Sequence, residues 1–204
     1  MKGSKIICAL SLLLALLCVF SACGEEDEAK KAKKVDIAAF SLSELEGFVK
    51  VGEYKNISIS LNGKSKEEAI NDYLVKNSKI EKLPEGAVEY YNAQLEEQYK
   101  YHAEQAGREY DELLKELSLS ESELLEQAKS LVVKDIILTT VQKKEGITLS
   151  DSDKEKFFDR YVEKYAELYG YEKAYVKENL VDEVYQTMLY DKTMEFLILN
   201  NTFN

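Results

Sequence analysis

The fold is decided by residues 120–153, SESELLEQAKSLVVKDIILTTVQKKEGITLSDSD, which hold the longest periodic apolar run of the chain. Ser120 and Glu123 have the spacing of a capping box, in which each side chain satisfies a backbone N–H at the start of a helix. The apolar residues that follow recur every three or four positions: Leu124, Leu125, Ala128, Leu131, Val132, Ile136, Leu138 and Val141. They cover a wider arc than a helix with one buried side needs, which predicts contacts on two sides.

The end of this stretch predicts a corner between two helices. Lys143 and Lys144 suit the negative end of the helix dipole, and Gly146 can adopt the left-handed conformation that ends a helix. Ser150 and Asp153 then form a second capping box. We expect the first helix to be a central spine, with a helix from residues 84–107 on one side and the C-terminal helices on the other.

The N-terminus has the pattern of an export signal. Lys2 and Lys5 precede an apolar run, residues 6–20, which is too short to span a membrane comfortably. The ending Phe20-Ser21-Ala22-Cys23 resembles the bacterial lipobox, although an aliphatic residue is usual where Phe20 stands. This resemblance implies a lipoprotein signal peptide over residues 1–22 and an acylated Cys23. The alternative is an ordinary cleaved signal or an uncleaved anchor in which Cys23 is incidental.

The net charge and the positions of the cysteines limit which partners and which covalent bonds are expected. Cleavage before Cys23 would remove Cys8 and Cys18, so no disulfide is expected. The chain has 27 basic and 38 acidic residues, a net charge of −11, and its field would repel nucleic acid and anionic lipid. The expected location is the extracytoplasmic face of a bacterial cell membrane, with attachment through the lipid on Cys23.

The pattern divides the mature chain into three parts. Residues 23–36 are highly charged and predict a flexible tether. Residues 37–82 predict short elements: capping boxes at Ser41/Glu44 and Ser65/Glu68 open helices, and residues 54–61 alternate as a half-buried strand does. That strand either pairs with residues around 37–40 or packs in extended form.

Residues 83–204 predict a helical domain. Pro84 suits the first turn of a helix that extends to about Gly107. Further helices are expected at 110–117 and at 151–169, closed by Gly170, with one or two more between 172 and 199. The predicted fold is mainly α, a multi-helix array with at most one or two short strands near residues 54–61.

No catalytic or metal site is expected. His102 is the only histidine and lies on an apolar helical stripe, which favours a core or groove position. Asp151-Ser152-Asp153 lacks the glycine and closing glutamate of a calcium loop. Phosphate-binding loops and nucleophile motifs are also missing from the sequence, so we expect no cofactor and no enzyme activity.

Tyrosine is unusually frequent, with 14 residues and no tryptophan. Stripes of tyrosines at helical spacing are most often core residues, but a stripe too large for local burial forms a groove that accepts varied apolar segments. The candidate client-binding residues are Tyr90, Tyr91, Tyr99, Tyr161, Tyr165 and Tyr169.

Several segments, in order, resemble the C-terminal helical domain of the trigger factor chaperones. They are Leu83-Pro84-Glu85, residues 110–114 with 120–124, residues 133–138 through 145–151, Tyr169-Gly170 and residues 191–197. The helical chaperone domains of exported parvulin-type foldases have a similar corner. The resemblance implies a helical domain that binds unfolded polypeptides.

Residues 49–57 resemble the segment that leads into the prolyl isomerase domain of that family. Only about 25 residues separate Leu61 from Glu85, which is too few for an isomerase domain, and the ribosome-binding domain has no counterpart. The resemblance therefore predicts a tethered holding chaperone for unfolded or nascent exported polypeptides, without ATP. The alternatives are a non-catalytic adaptor for one fixed envelope partner and an isomerase-related foldase.

Overall fold

A computed structural model describes residues 32–204. The predicted signal peptide, Cys23 and most of the predicted tether lie outside the described residues. The described chain is mainly helical, as predicted, and begins with a 3-10 turn at Ile37–Ala39. Its helices are α1 Leu42–Phe48, α2 Lys66–Asn77, α3 Ala87–Gln105, α4 Tyr110–Glu116, α5 Glu121–Glu145, α6 Asp151–Tyr169, α7 Lys173–Asn179 and α8 Val181–Leu199.

Capping hydrogen bonds begin four of the described helices at the residues that the sequence predicts. Both hydrogen bonds of the capping box are present at the starts of α1, α2, α5 and α6, on Ser41, Ser65, Ser120 and Ser150. Gly146 ends α5 at φ 64° and Gly170 ends α6 at φ 73°, in the left-handed region that favours glycine. The corner between α5 and α6 is therefore confirmed.

The start of α3 differs from the prediction. Pro84 lies ahead of the helix, and Gly86 is the N-cap, with a left-handed backbone at φ 74°. A turn closed by the Ala87 N–H, which donates to the Pro84 carbonyl oxygen at 3.2 Å, precedes the helix. Glycine adopts this conformation without the steric cost that a side chain adds.

Four two-residue strands form two small sheets. Strands β1 Val49–Lys50 and β3 Lys79–Ile80 pair antiparallel, and β2 Ser58–Ile59 pairs in parallel with β4 Thr202–Phe203. The strand expected within residues 54–61 is present, but neither predicted arrangement, pairing with residues 37–40 or unpaired extended packing, is correct. Its partner is at the C-terminus, where the Asn201 side chain accepts from the Ile57 N–H at 3.1 Å.

Most of the buried apolar side chains of residues 32–204 gather in two clusters that share no residue. The large core contains α1, α2, α3, the C-terminal two thirds of α5 and the end of α8, with Ile136 and Leu197 fully buried. The small core contains α6, α7 and the first half of α8, with Val162 and Tyr165 at its centre. Helix α8 runs through both, since Val184 and Met188 lie in the small core and Met194 and Leu197 in the large one.

Helix α5 is buried on two sides, as its apolar arc predicts, although Leu125 remains 39% exposed. Helix α3 covers one side, as expected. The other side is covered mainly by α1 and α2, and only the end of α8 reaches it. The expectation that the C-terminal helices flank the spine is therefore wrong, because they bury most of their apolar surface against one another.

Among residues 32–204, no helix combines the length and the apolar character needed to cross a membrane.

Candidate functional site

The six tyrosines predicted to bind clients do not form one open surface. Tyr90, Tyr91, Tyr165 and Tyr169 are at most 8% exposed, and they belong to the two cores. Tyr99 and Tyr161 are partly buried. In this conformation, four of the six rings contribute to packing and have almost no surface available to a client.

Tyr91 connects two helices of the large core. Its hydroxyl donates to the Asp135 carboxylate, which also accepts from the Thr139 hydroxyl at 3.2 Å. Burial raises the pKa of Asp135, while these two hydrogen bonds oppose the shift. The arrangement fixes α3 against α5, so its role is structural.

Tyr161 lies at the edge of the small core. Its hydroxyl donates to the Asp191 carboxylate at 2.9 Å, and Lys164 donates to the same oxygen. Burial and the Asp191 carboxylate together raise the pKa of Tyr161 to about 12. The ring therefore stays neutral at physiological pH and joins α6 to α8.

A chain of tyrosine rings leads out of the small core to α3. Tyr165 contacts Tyr169 with ring centroids 4.5 Å apart and stacks on Tyr171 at 6.3 Å. Tyr171 in turn contacts Tyr175 at 5.6 Å and Tyr101 of α3 at 5.1 Å. The Tyr101–Tyr171 contact therefore joins α3 to the edge of the small core.

The face of α3 that carries Tyr101 has one polar or amphipathic side chain at nearly every turn. Tyr90, Gln94, Gln98 and Tyr101 follow one another at steps of four, four and three, which places them on one side of the helix. Gln94 and Gln98 are buried, at 8% and 5% exposure. Buried glutamine is uncommon, because each amide needs hydrogen-bonding partners once it leaves water.

Glu183 lies in the first turn of α8 and is 7% exposed, and burial raises the pKa of its carboxyl. Burial raises the pKa of Tyr90 to about 12, and the charge on Glu183 adds to that shift. Burial also raises the pKa of Tyr171 strongly, with a smaller contribution from Glu183.

We call the ring contact between α3 and the small core the seam. Its residues are Tyr101 on α3, and Tyr171 and Tyr175 on the small-core side. His102 lies beside it and contacts the Tyr101 ring at 5.7 Å, and burial lowers the pKa of the imidazole. This agrees with the predicted core or groove position of the histidine.

Among residues 32–204, no group of three or more His, Cys, Asp or Glu side chains is arranged to hold a metal ion. A shallow cleft lies at the α5–α6 corner, but Lys192 there is already bonded to the Thr148 carbonyl oxygen and the Asp153 carboxylate, both at 2.9 Å.

The sequence prediction missed the contact between Tyr101 and Tyr171. Tyr171 lies in the connection that follows α6, and nothing local brings it to α3.

The fold defines a mainly helical domain with two apolar clusters. Comparison with known families identifies it more closely: the profile of the bacterial trigger factor protein C-terminus matches residues 56–199. The chain therefore belongs to the trigger factor C-terminal family, and this membership indicates a chaperone-like function. Comparisons with curated proteins and with solved structures give no match.

Proposed function

We propose that this protein is a membrane-tethered, extracytoplasmic holding chaperone that binds unfolded or exported polypeptides without ATP. The observation that carries the proposal is family membership over residues 56–199, which include every helix from α2 to α8. The lipobox-like ending at Cys23 supports a lipid anchor. Of the six candidate rings, Tyr99 and Tyr161 keep part of their surface accessible, and a tyrosine ring suits varied segments because it combines an apolar face with a polar tip.

The strong negative charge supports the holding role. A chaperone that carries an unfolded client is at risk of joining the client's aggregates, and a net charge of −11 keeps occupied molecules apart. The same charge works against attachment to anionic lipid by the protein surface, so the tether on Cys23 would supply the membrane contact.

We propose further that the activity is binding alone. Between Ile59 and Gly86 the chain forms one helix and one two-residue strand, α2 and β3, which leaves no room for an isomerase domain in that interval. In a proline-peptide isomerisation assay, we expect the uncatalysed rate, with relaxation over tens to hundreds of seconds. A rate that rises in proportion to the protein concentration would contradict this part of the proposal.

The direct test is suppression of aggregation. Residues 25–204 should reduce light scattering from a chemically denatured client on dilution, at one to several equivalents and without ATP, whereas an unrelated acidic protein of similar size should not. No reduction at several-fold excess would overturn the holding role. Stoichiometric copurification of one envelope protein, in place of many clients at low occupancy, would favour a fixed adaptor.

The anchor is tested separately. Mass spectrometry of the membrane fraction should find acyl chains on an N-terminal Cys23, and Cys23→Ser should move the protein out of that fraction. An unmodified Cys23 in a membrane-bound protein would contradict lipid tethering and leave the binding function untouched.

A further inference from the structure

Helix α6 carries three basic side chains in a row on its exposed side. Lys156, Arg160 and Lys164 recur at steps of four residues, so they share one face of the helix, and all three are exposed. Each lies over an aromatic ring of the same helix. The Lys156 ammonium is 5.0 Å from the centre of the Phe157 ring, and the Lys164 ammonium is 5.3 Å from the centre of the Tyr161 ring. We call these five residues the cation–aromatic stripe.

Arg160 is the central cation of the stripe and contacts both rings. Its guanidinium carbon is 4.8 Å from the centre of the Phe157 ring and 5.3 Å from the centre of the Tyr161 ring. A guanidinium over the face of a ring leaves N–H groups at the edge of its plane available. Those groups have the fork geometry that binds a carboxylate through two hydrogen bonds. The two rings therefore hold a carboxylate-binding group in place on the surface of α6.

Two of the three cations have no carboxylate partner within residues 32–204. Neither Lys156 nor Arg160 forms an ion pair there, although the net charge of the chain is −11. The acidic side chains three positions after them, Asp159 and Glu163, pair instead with lysines of α7. A helix face that serves only solubility commonly pairs such charges within the helix. Here α7 takes the acidic partners and leaves the two cations unpaired.

The spacing of the stripe matches that of an extended polypeptide. Four residues of α-helix advance about 6 Å, so neighbouring cations of the stripe are separated by that distance along the helix. In an extended chain, side chains at alternate positions lie on one face and are about 6.6 Å apart. Two carboxylates at alternate positions can therefore meet Lys156 and Arg160 together. An apolar side chain beside them can contact the Phe157 and Tyr161 rings, which are only partly buried.

The acidic residues of α6 disfavour a broad anionic surface as the partner. Glu155, Asp159, Glu163 and Glu167 also recur at steps of four, on the flank of the helix next to the cations, and all four are exposed. A planar surface of acidic lipids would face these carboxylates as well as the three cations. A single extended chain is narrow enough to follow the cations alone.

We propose that the cation–aromatic stripe binds extended segments of unfolded polypeptide that carry carboxylates at alternate positions next to apolar side chains. Charge complementarity identifies this partner, since Lys156 and Arg160 supply two unpaired positive charges and the rings supply apolar contacts beside them. The inference rests on the proposed holding function and adds to it a site and a class of client segment. It also explains how a chain of net charge −11 holds acidic segments that its overall field repels.

The test measures fluorescence anisotropy of a short labelled peptide with the full-length protein in detergent. This glutamate probe carries glutamates at two alternate positions, followed by phenylalanine and leucine, and a second probe has glutamine in place of each glutamate. The wild type should bind the glutamate probe. Lys156→Gln with Arg160→Gln should weaken that binding by about tenfold or more, because both charge-assisted contacts are lost. The double variant should bind the glutamine probe as the wild type does.

Two control variants separate the site from general effects. Lys76→Gln with Lys115→Gln makes the same change in net charge at exposed positions of α2 and α4, so this control pair should bind the glutamate probe as the wild type does. Arg160→Lys keeps the charge but loses the planar fork, and its affinity should lie between those of the wild type and the double variant. Because every altered side chain is exposed, all the variants should keep the melting temperature of the wild type.

The outcomes separate this inference from the holding function. If the double variant binds the glutamate probe as tightly as the wild type, or if the control pair loses as much affinity as the double variant, the inference is overturned. If the wild type suppresses aggregation but does not bind the glutamate probe, the inference fails and the holding function stands. If the wild type does neither, both fail.

Other occupants of the stripe would give different results. Displacement of the labelled probe by a soluble short-chain phosphatidylglycerol, at a lower concentration than the unlabelled probe requires, would assign the stripe to anionic lipid. Absence of probe binding, together with a wild-type dimer that becomes a monomer in the double variant on analytical ultracentrifugation, would assign it to a second copy of the chain. Either result would overturn the inference.

Discussion

The large core and the small core differ in what they are made of. The large core is mainly aliphatic and draws its residues from both ends of the described chain, so that Leu45, Ile70 and Leu197 meet around α5. The small core comes from three consecutive helices, and half of the residues in it or against it are aromatic. A core of aliphatic side chains from distant segments is difficult to open. A core of aromatic side chains can instead place its hydroxyl groups at the edge, next to polar groups. The seam lies at that edge.

The largest effect should come from a charge placed in the large core. Ile136→Asp puts a carboxylate at a fully buried position on α5 with no partner for it, so we expect a loss of about 4 kcal/mol or more in the free energy of unfolding. Urea denaturation followed by circular dichroism measures this. Leu125→Asp, at an exposed position on the same helix, should change the free energy by about 0.5 kcal/mol or less.

We assign α5 a scaffold role. A folded Ile136→Asp protein that has lost client binding would contradict this assignment, since α5 would then be part of the binding surface.

A change in the small core should act more locally. Tyr165→Ala removes a ring that is 1% exposed and contacts Tyr169 and Tyr171, and it should cost about 3 kcal/mol. Because the two clusters share no residue, hydrogen exchange should accelerate in α6, α7 and the first half of α8, while α3 and α5 stay protected. Equal acceleration in α5 would mean that the two cores unfold as one unit. Tyr161→Phe, which keeps the ring, is the milder control.

The corner between the cores should respond to pH. The Lys192 ammonium, with the Ser150 capping bonds, lowers the pKa of Asp153 from 3.8 to about 2. A carboxyl with a lowered folded-state pKa stabilises the fold above its unfolded pKa, and this contribution disappears as the pH falls from about 4 towards 2. Asp153→Asn should therefore be less stable than the wild type at neutral pH, and the gap should close on acidification.

Urea titrations at several pH values test this expectation. Asp159→Asn, which affects a highly exposed ion pair with Lys177, should show little difference at any pH. If the difference in the free energy of unfolding between the wild type and Asp153→Asn persists at pH 2, the lost stability does not come from the carboxylate charge.

The smallest effect concerns a cap. Ser120→Ala removes the side-chain oxygen that accepts from the Glu123 N–H at the start of α5, at a cost of about 1 kcal/mol. Ser130→Ala, exposed in the middle of the same helix, should instead raise stability slightly, because alanine is the better helix former. Thermal denaturation of the two variants side by side separates capping from propensity. Equal melting temperatures would mean that the capping box contributes nothing to α5.

The features that sequence predicts well are local. The four capping boxes, the left-handed Gly146 and Gly170, and the helix bounds from α4 to α6 all follow from residues within one or two turns of each other. The pairing of β2 with β4 does not, since the two strands lie at opposite ends of the described chain and are two residues long.

The seam escaped prediction for a related reason, since Tyr101 and Tyr171 come from distant parts of the chain. The tyrosine stripes were correctly recognised as unusual, but their spacing alone does not separate a closed core from a groove. That choice depends on which distant helix covers each ring, and here the cover for Tyr101 is Tyr171.

The central claim is that the large core and the small core are separate cooperative units of one helical domain. The most direct measurement is native-state hydrogen exchange in increasing urea. We expect the amides of α6 and α7 to exchange through an opening of lower free energy than the amides of α5. A single free energy of opening shared by α5, α6 and α7 would contradict the claim.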